Sequence, residues 1–150
     1  MPASRAARLA PVIDMAERAE HEAARLFGQG QMQLSQAEAK LGELRQYFTD
    51  YQQQWMTQGS QGVSGQWLVN YQRFLSQLES AIGQQQRSVD WHQANLDKLR
   101  QQWQQRRARL DGLRKLVERY LQEARTAADK REQKLLDEFS QRLAGRSRQE

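Results

Sequence analysis

Apolar residues recur along this chain at alternating steps of four and three, and that spacing constrains the fold more than any other feature. From the N-terminus the walk reads Leu9, Ile13, Ala16, Glu20, Ala23, Phe27, Gly30, Leu34, Ala37, Leu41, Leu44, Phe48, Tyr51 and Trp55. Only Glu20 and Gly30 interrupt it. A second walk reads Leu68, Tyr71, Leu75, Leu78, Ile82, Gln85, Val89, His92, Leu96, Leu99, Trp103, Arg106, Leu110, Leu113, Val117, Tyr120, Ala124 and Ala127. Three of its positions are polar, where a chain that is 38% hydrophobic would show about eleven by chance. A repeat sustained over this many heptads is a coiled-coil seam.

Composition agrees. Charged residues make up 27% of the 150 residues, and the mean hydropathy is −0.97. So polar a chain does not surround a thick core, but a coiled coil needs only one apolar seam. Between the two walks lies Gly59-Ser60-Gln61-Gly62-Val63-Ser64-Gly65, with three glycines and two serines in seven residues. The stretch breaks a helix and is too short to separate domains, so it reads as a hairpin turn. The expectation is an all-α fold: a long antiparallel two-helix coiled-coil hairpin with a C-terminal helical overhang, forming a single domain. Helix 1 is expected over about 9–56, the turn over about 57–66, helix 2 over about 67–143, and a frayed tail over 144–150. Pro11 suits the first turn of helix 1, which leaves the residues before it frayed or in a separate turn.

A hairpin folded about Val63 sets Glu20 opposite Arg106, so that the charged interruption of each walk meets the other. It also sets small residues against large ones: Ala23 with Trp103, Gly30 with Leu96, Ala16 with Leu110. Helix 1 is then used up near Val117. The rest of helix 2 carries its own apolar stripe of Leu121, Ala124, Ala128, Leu135, Phe139 and Leu143, which a lone helix cannot hide. A docking segment for another protein is the sharper reading of that stripe; a frayed tail or a tail-to-tail homodimer is the plainer one. A cluster of aromatics flanks the turn, namely Tyr47, Phe48, Tyr51, Trp55, Trp67, Tyr71 and Phe74. It exceeds what one narrow seam needs and reads equally as a cap on the turn or as an interface anchor.

Signals for chemistry are weak. The chain has no cysteine and two histidines. Glu17 and His21 share a helix face, but two ligands do not make a metal site. No glycine-rich phosphate loop, nucleophile elbow or histidine–carboxylate constellation occurs, so no enzyme activity, metal or cofactor is expected. The sequence shows no signal-peptide pattern and no apolar run long enough to span a bilayer, so a cytosolic location is expected. The net charge of +5 and pI of about 9.9 allow an anionic partner. The basic run from Lys98 to Arg119 is bordered by Asp97 and interrupted by Asp111 and Glu118, and it reads as a solvated coiled-coil face; nucleic acid is not expected.

Three stretches together resemble the FliJ family of bacterial flagellar export proteins. They are Asn70-Tyr71-Gln72-Arg73-Phe74-Leu75 continuing through Leu78-Glu79-Ser80-Ala81-Ile82, then Trp103 with its flanking Gln and Arg, then Glu132-Gln133-Lys134-Leu135-Leu136-Asp137-Glu138-Phe139-Ser140-Gln141-Arg142. Length, layout and the position of the turn extend the likeness over nearly the whole chain. The resemblance implies a non-enzymatic component of the flagellar type III export apparatus, cytoplasmic and peripherally associated with the inner-membrane export machinery. Family members look like the two-helix stalk of the rotary-ATPase gamma subunit. The partners this implies are the hexameric export ATPase (FliI-like), the export-gate membrane protein (FlhA-like) and export chaperones. Carried onto this chain, the gate contact is Leu44, Tyr47, Tyr51, Phe74, Leu78 and Ala81, and the ATPase contact is the stripe from Leu121 to Leu143. The alternatives are the stalk of a virulence type III system, a generic coiled-coil scaffold and a basic nucleic-acid binder.

Overall fold

The computed structural model describes the backbone of residues 2–149 and the side chains of residues 4–147. Two helices make up the fold, α1 (Pro2–Gly59) and α2 (Gly65–Gln149), and the described residues contain no strand. They form an antiparallel hairpin whose contacts divide into two compact units. One is Glu22–Gln104, which includes the turn; the other is Met1–His21 with Gln105–Glu150.

The turn is tighter than the glycine-rich stretch suggests. Gln61 N–H donates to the Gln58 carbonyl at 3.1 Å, and Gly62 N–H donates to that of Gly59 at 3.3 Å. Gly62 has φ +83°, the left-handed region where a Cβ is disfavoured. Ser64 then starts α2 as its N-cap. Its hydroxyl accepts from Trp67 N–H at 3.1 Å, and its carbonyl takes the first helical bond, from Leu68, at 3.1 Å.

Both outer helix ends run further than the sequence suggests. α1 begins at Pro2, so Pro11 lies inside the helix and not in its first turn. Pro2 itself supplies the N-terminal proline, and Ala6, Ala7 and Ala10 favour helix strongly enough to absorb the bond that Pro11 removes. Ala6 is buried, and the Arg5 guanidinium sits 5.8 Å from the Tyr120 ring centroid, which ties this first stretch to α2. At the other end α2 continues to Gln149, through the segment expected to fray. Gly145 alone does not end the helix, because a single glycine costs about 1 kcal/mol and the residues around it are good helix formers.

The seam is thin. Ala16, Ala23, Leu34, Ala37, Leu41, Tyr71, Leu78, Leu96 and Leu110 are buried, and among the described residues Leu110 alone is fully enclosed, at 1% exposure. Phe27 stacks on Trp103 with ring centroids 5.9 Å apart, and Arg100 lies over the Phe27 ring. At Gly30 the helices approach closely. A Cβ there would lie 2.7 Å from Leu99 Cδ1 and 3.3 Å from Leu96 Cδ1. Gly28 and Gly42, also on α1, have nothing within 4 Å of such an atom. Gly28→Ala and Gly42→Ala are each expected to stabilise the chain by about 0.5–1 kcal/mol through helix propensity. Gly30→Ala is expected to gain less, because Leu99 must shift. Denaturation midpoints of the three variants check the order, and an equal gain at Gly30 would contradict the close approach.

Polar positions on the seam each find a distinct solution. Gln85 Nε2 donates to the Ala37 carbonyl at 3.0 Å, and half-buried His92 meets Trp91 edge-on at 5.0 Å. Glu20 is buried, and its ion pair comes from Arg107 at 3.8 Å, one position beyond the expected Arg106. Arg106 itself is exposed. Trp103 and Leu110, the walk positions on either side, stay on the seam, so Arg106 reaches solvent through its long side chain and not through a change of phase.

Candidate functional site

Two surfaces stand out, one on each compact unit. The first is the hairpin tip. Five rings from the two helices stack in near-parallel planes: Tyr51 on Phe74 at 4.2 Å, Trp55 on Tyr71 at 5.0 Å, Trp67 on Tyr71 at 5.4 Å, Trp55 on Trp67 at 5.5 Å and Tyr51 on Tyr71 at 5.6 Å. Tyr71 is at the centre and is buried. Burial, reinforced by the neighbouring Tyr51, raises its phenol above the ordinary tyrosine value. A recess of about 140 Å³ beside the stack is lined by Tyr51, Gln54, Gln58, Trp67, Asn70 and Tyr71.

The residues expected to form the gate contact divide by exposure. Tyr47 is 61% exposed and Phe74 41%. Leu44, Tyr51 and Ala81 are half-buried. Leu78 is buried in the seam, so its side chain is not available on the surface. Its heptad position outweighs its neighbours: between Leu75 and Ile82 it has the inward phase. Met56 and Val69, which periodicity did not single out, are also exposed near the turn. Both fall off the walks, which is the signal that would have found them.

The second surface is the C-terminal part of α2. Leu121, Leu135, Phe139 and Leu143 are 43%, 66%, 59% and 50% exposed. Ala124 is half-buried and Ala128 exposed. Leu136 is 60% exposed and widens the stripe beyond the expected residues. Exposed leucine and phenylalanine at helical spacing form the kind of face that a partner helix or groove covers.

Among the described residues no group of three histidine, cysteine or carboxylate side chains could hold a metal ion. His21 Nδ1 lies 2.7 Å from the Glu17 carbonyl oxygen and 3.6 Å from Glu20 Oε2, a local helix interaction. No helix, among the described residues, is long and apolar enough to cross a membrane.

These features define an all-α helical-hairpin protein with apolar side chains exposed at its turn and along its last helix. Residues 5–149 match the flagellar FliJ protein family. The chain is 33% identical over 138 residues to the flagellar FliJ protein of Escherichia coli strain K12, covering 92% of this chain and 94% of that relative. It is 32% identical over 133 residues to the flagellar FliJ protein of Salmonella typhi, covering 89% and 90%. The chain belongs to the FliJ family. No solved structure matches it significantly.

Proposed function

We propose that this chain is a stalk-like component of the flagellar type III export apparatus, which couples the export ATPase to the export gate by binding and has no chemistry of its own. The observation that carries the reading is the stripe from Leu121 to Leu143, whose large apolar side chains stand in solvent on a helix with family membership along almost its full length. The stripe is the surface offered to the hexameric ATPase. The exposed rings Tyr47 and Phe74 at the tip are the surface offered to the gate protein, and the stack on Tyr51 holds Phe74 in place, which lowers the entropy cost of binding through it. Export chaperones are further partners of the same apparatus, and the protein acts in the cytoplasm at the face of the inner membrane.

The gate contact is tested by calorimetric titration of the soluble domain of the cognate FlhA-like protein. Tyr47→Ala with Phe74→Ala is expected to weaken binding about tenfold or more, the usual effect of removing two aromatic anchors. Helix content should hold, because Tyr47 is largely exposed and the loss of Phe74 leaves the other four rings of the stack in contact with one another. Unchanged affinity would remove the tip from the gate contact.

A further inference from the structure

Along α2 between Arg100 and Arg119, most arginines already have a carboxylate. Arg100 pairs with Asp97 at 3.5 Å, Arg107 with Glu20 at 3.8 Å and Asp111 at 3.5 Å, Arg114 with Glu17 at 3.2 Å, and Arg119 with Glu123 at 4.0 Å. Among the described residues Arg106 and Arg109 have none. They are three apart on one helix, so their side chains share a face. Both line a recess of about 340 Å³ whose other residues are Val12, Met15, Ala16 and Ala19 of α1. All six belong to the same compact unit. Solvated arginines alone would be ordinary. Two without counter-ions, set against an apolar lining that includes a 72% exposed methionine, make an amphipathic recess whose charged lining residues are both positive.

We propose that this recess docks an amphipathic helix of a partner protein that carries two carboxylates one turn apart beside an apolar side chain. Carboxylates at i,i+3 or i,i+4 match the spacing of the two guanidinium groups, and such charge-assisted bonds are the strong ones. The apolar residue fills the space between Met15, Val12 and the two alanines. Charge argues against the other occupants. A nucleic-acid strand needs a continuous row of free cations, whereas the flanking arginines are committed to Asp111 and Glu17, and Asp14 pairs with Arg18 on the facing helix. The apolar stripe of a second copy carries Asp129, Glu132, Asp137 and Glu138 balanced by Lys130, Arg131, Lys134 and Arg142, so it offers no net negative charge. The site shares no residue with the tip or the C-terminal stripe and does not depend on the export reading.

The test uses the full chain with its methionine methyl groups labelled with carbon-13. The probe is a fluorescent synthetic helical peptide of about fifteen residues, long enough to be helical when docked. It carries glutamates at i and i+3 and leucine at i+4, and a matched peptide has glutamine in place of glutamate. The glutamate peptide is expected to bind at least about tenfold more tightly than its glutamine counterpart. The Met15 methyl resonance should move while those of Met32 and Met56, exposed elsewhere, should not. Arg106→Gln with Arg109→Gln, both at exposed positions, should reduce binding to the level of the glutamine peptide. Equal binding of the two peptides would overturn the proposal, as would binding that survives the double substitution or shifts confined to Met32 and Met56. Anionic vesicles that move the Met15 methyl where the peptide does not would assign the surface to lipid instead.

Discussion

Tyr71→Ala is expected to destabilise the hairpin by about 3–4 kcal/mol, the range for removing a buried aromatic side chain. Tyr71 is 9% exposed and stacks on Tyr51, Trp55 and Trp67, so the substitution breaks three ring contacts at once. The alanine also leaves a space that the flat neighbours cannot fill, because each ring is already held against another. Tyr71→Phe keeps the stack and is expected to stay within about 1 kcal/mol. Denaturant unfolding followed by helical circular dichroism separates the two variants. A loss below about 1 kcal/mol for Tyr71→Ala would show that the aromatic cluster caps the turn without holding it.

The second large effect lies in the other compact unit. Leu110→Ala is expected to cost about 2–4 kcal/mol, since Leu110 is the one fully enclosed side chain among the described residues and a two-helix seam has few atoms with which to close a cavity. The same substitution at Leu135, which is 66% exposed, is expected to stay within about 0.5 kcal/mol. Set against a total stability of about 5–15 kcal/mol, the Leu110 loss is large enough to lower the midpoint visibly. Equal effects at the two positions would mean that the burial pattern along α2 is not the one described.

The hairpin was legible in the sequence because its seam is one-dimensional. A walk of alternating fours and threes finds Leu34, Ala37, Leu41, Leu78, Leu96 and Leu110, all of them buried. The turn was legible because Gly62 and Ser64 perform jobs that few other residues do. The helix ends were not. Pro11 signals a start, but signals at Pro2 and in the alanines around it act over the same turns and prevail. At the seam's edge the walk also loses resolution. Arg106 and Arg107 are adjacent, and the reach of a long, flexible side chain decides which of them meets Glu20. The surfaces were partly legible for a related reason. Leu135, Phe139 and Leu143 were foreseen as an unpartnered stripe, whereas a residue such as Leu78 can serve the seam or a surface by its type alone. Only its burial decides. Unpaired arginines leave no mark in sequence at all, because pairing depends on which neighbour a flexible side chain reaches.

The most direct measurement is the ATP hydrolysis rate of the cognate export ATPase under conditions where it forms hexamers, with the full chain and with a full chain carrying Leu135→Glu, Phe139→Glu and Leu143→Glu. The three positions are exposed, so the variant should fold and melt like the parent. Stimulation by the parent chain, lost in the variant, is the expected result and would place the ATPase contact on the last part of α2. No stimulation by the parent, or equal stimulation by both chains, would contradict the proposed role of that stripe as the surface that engages the ATPase.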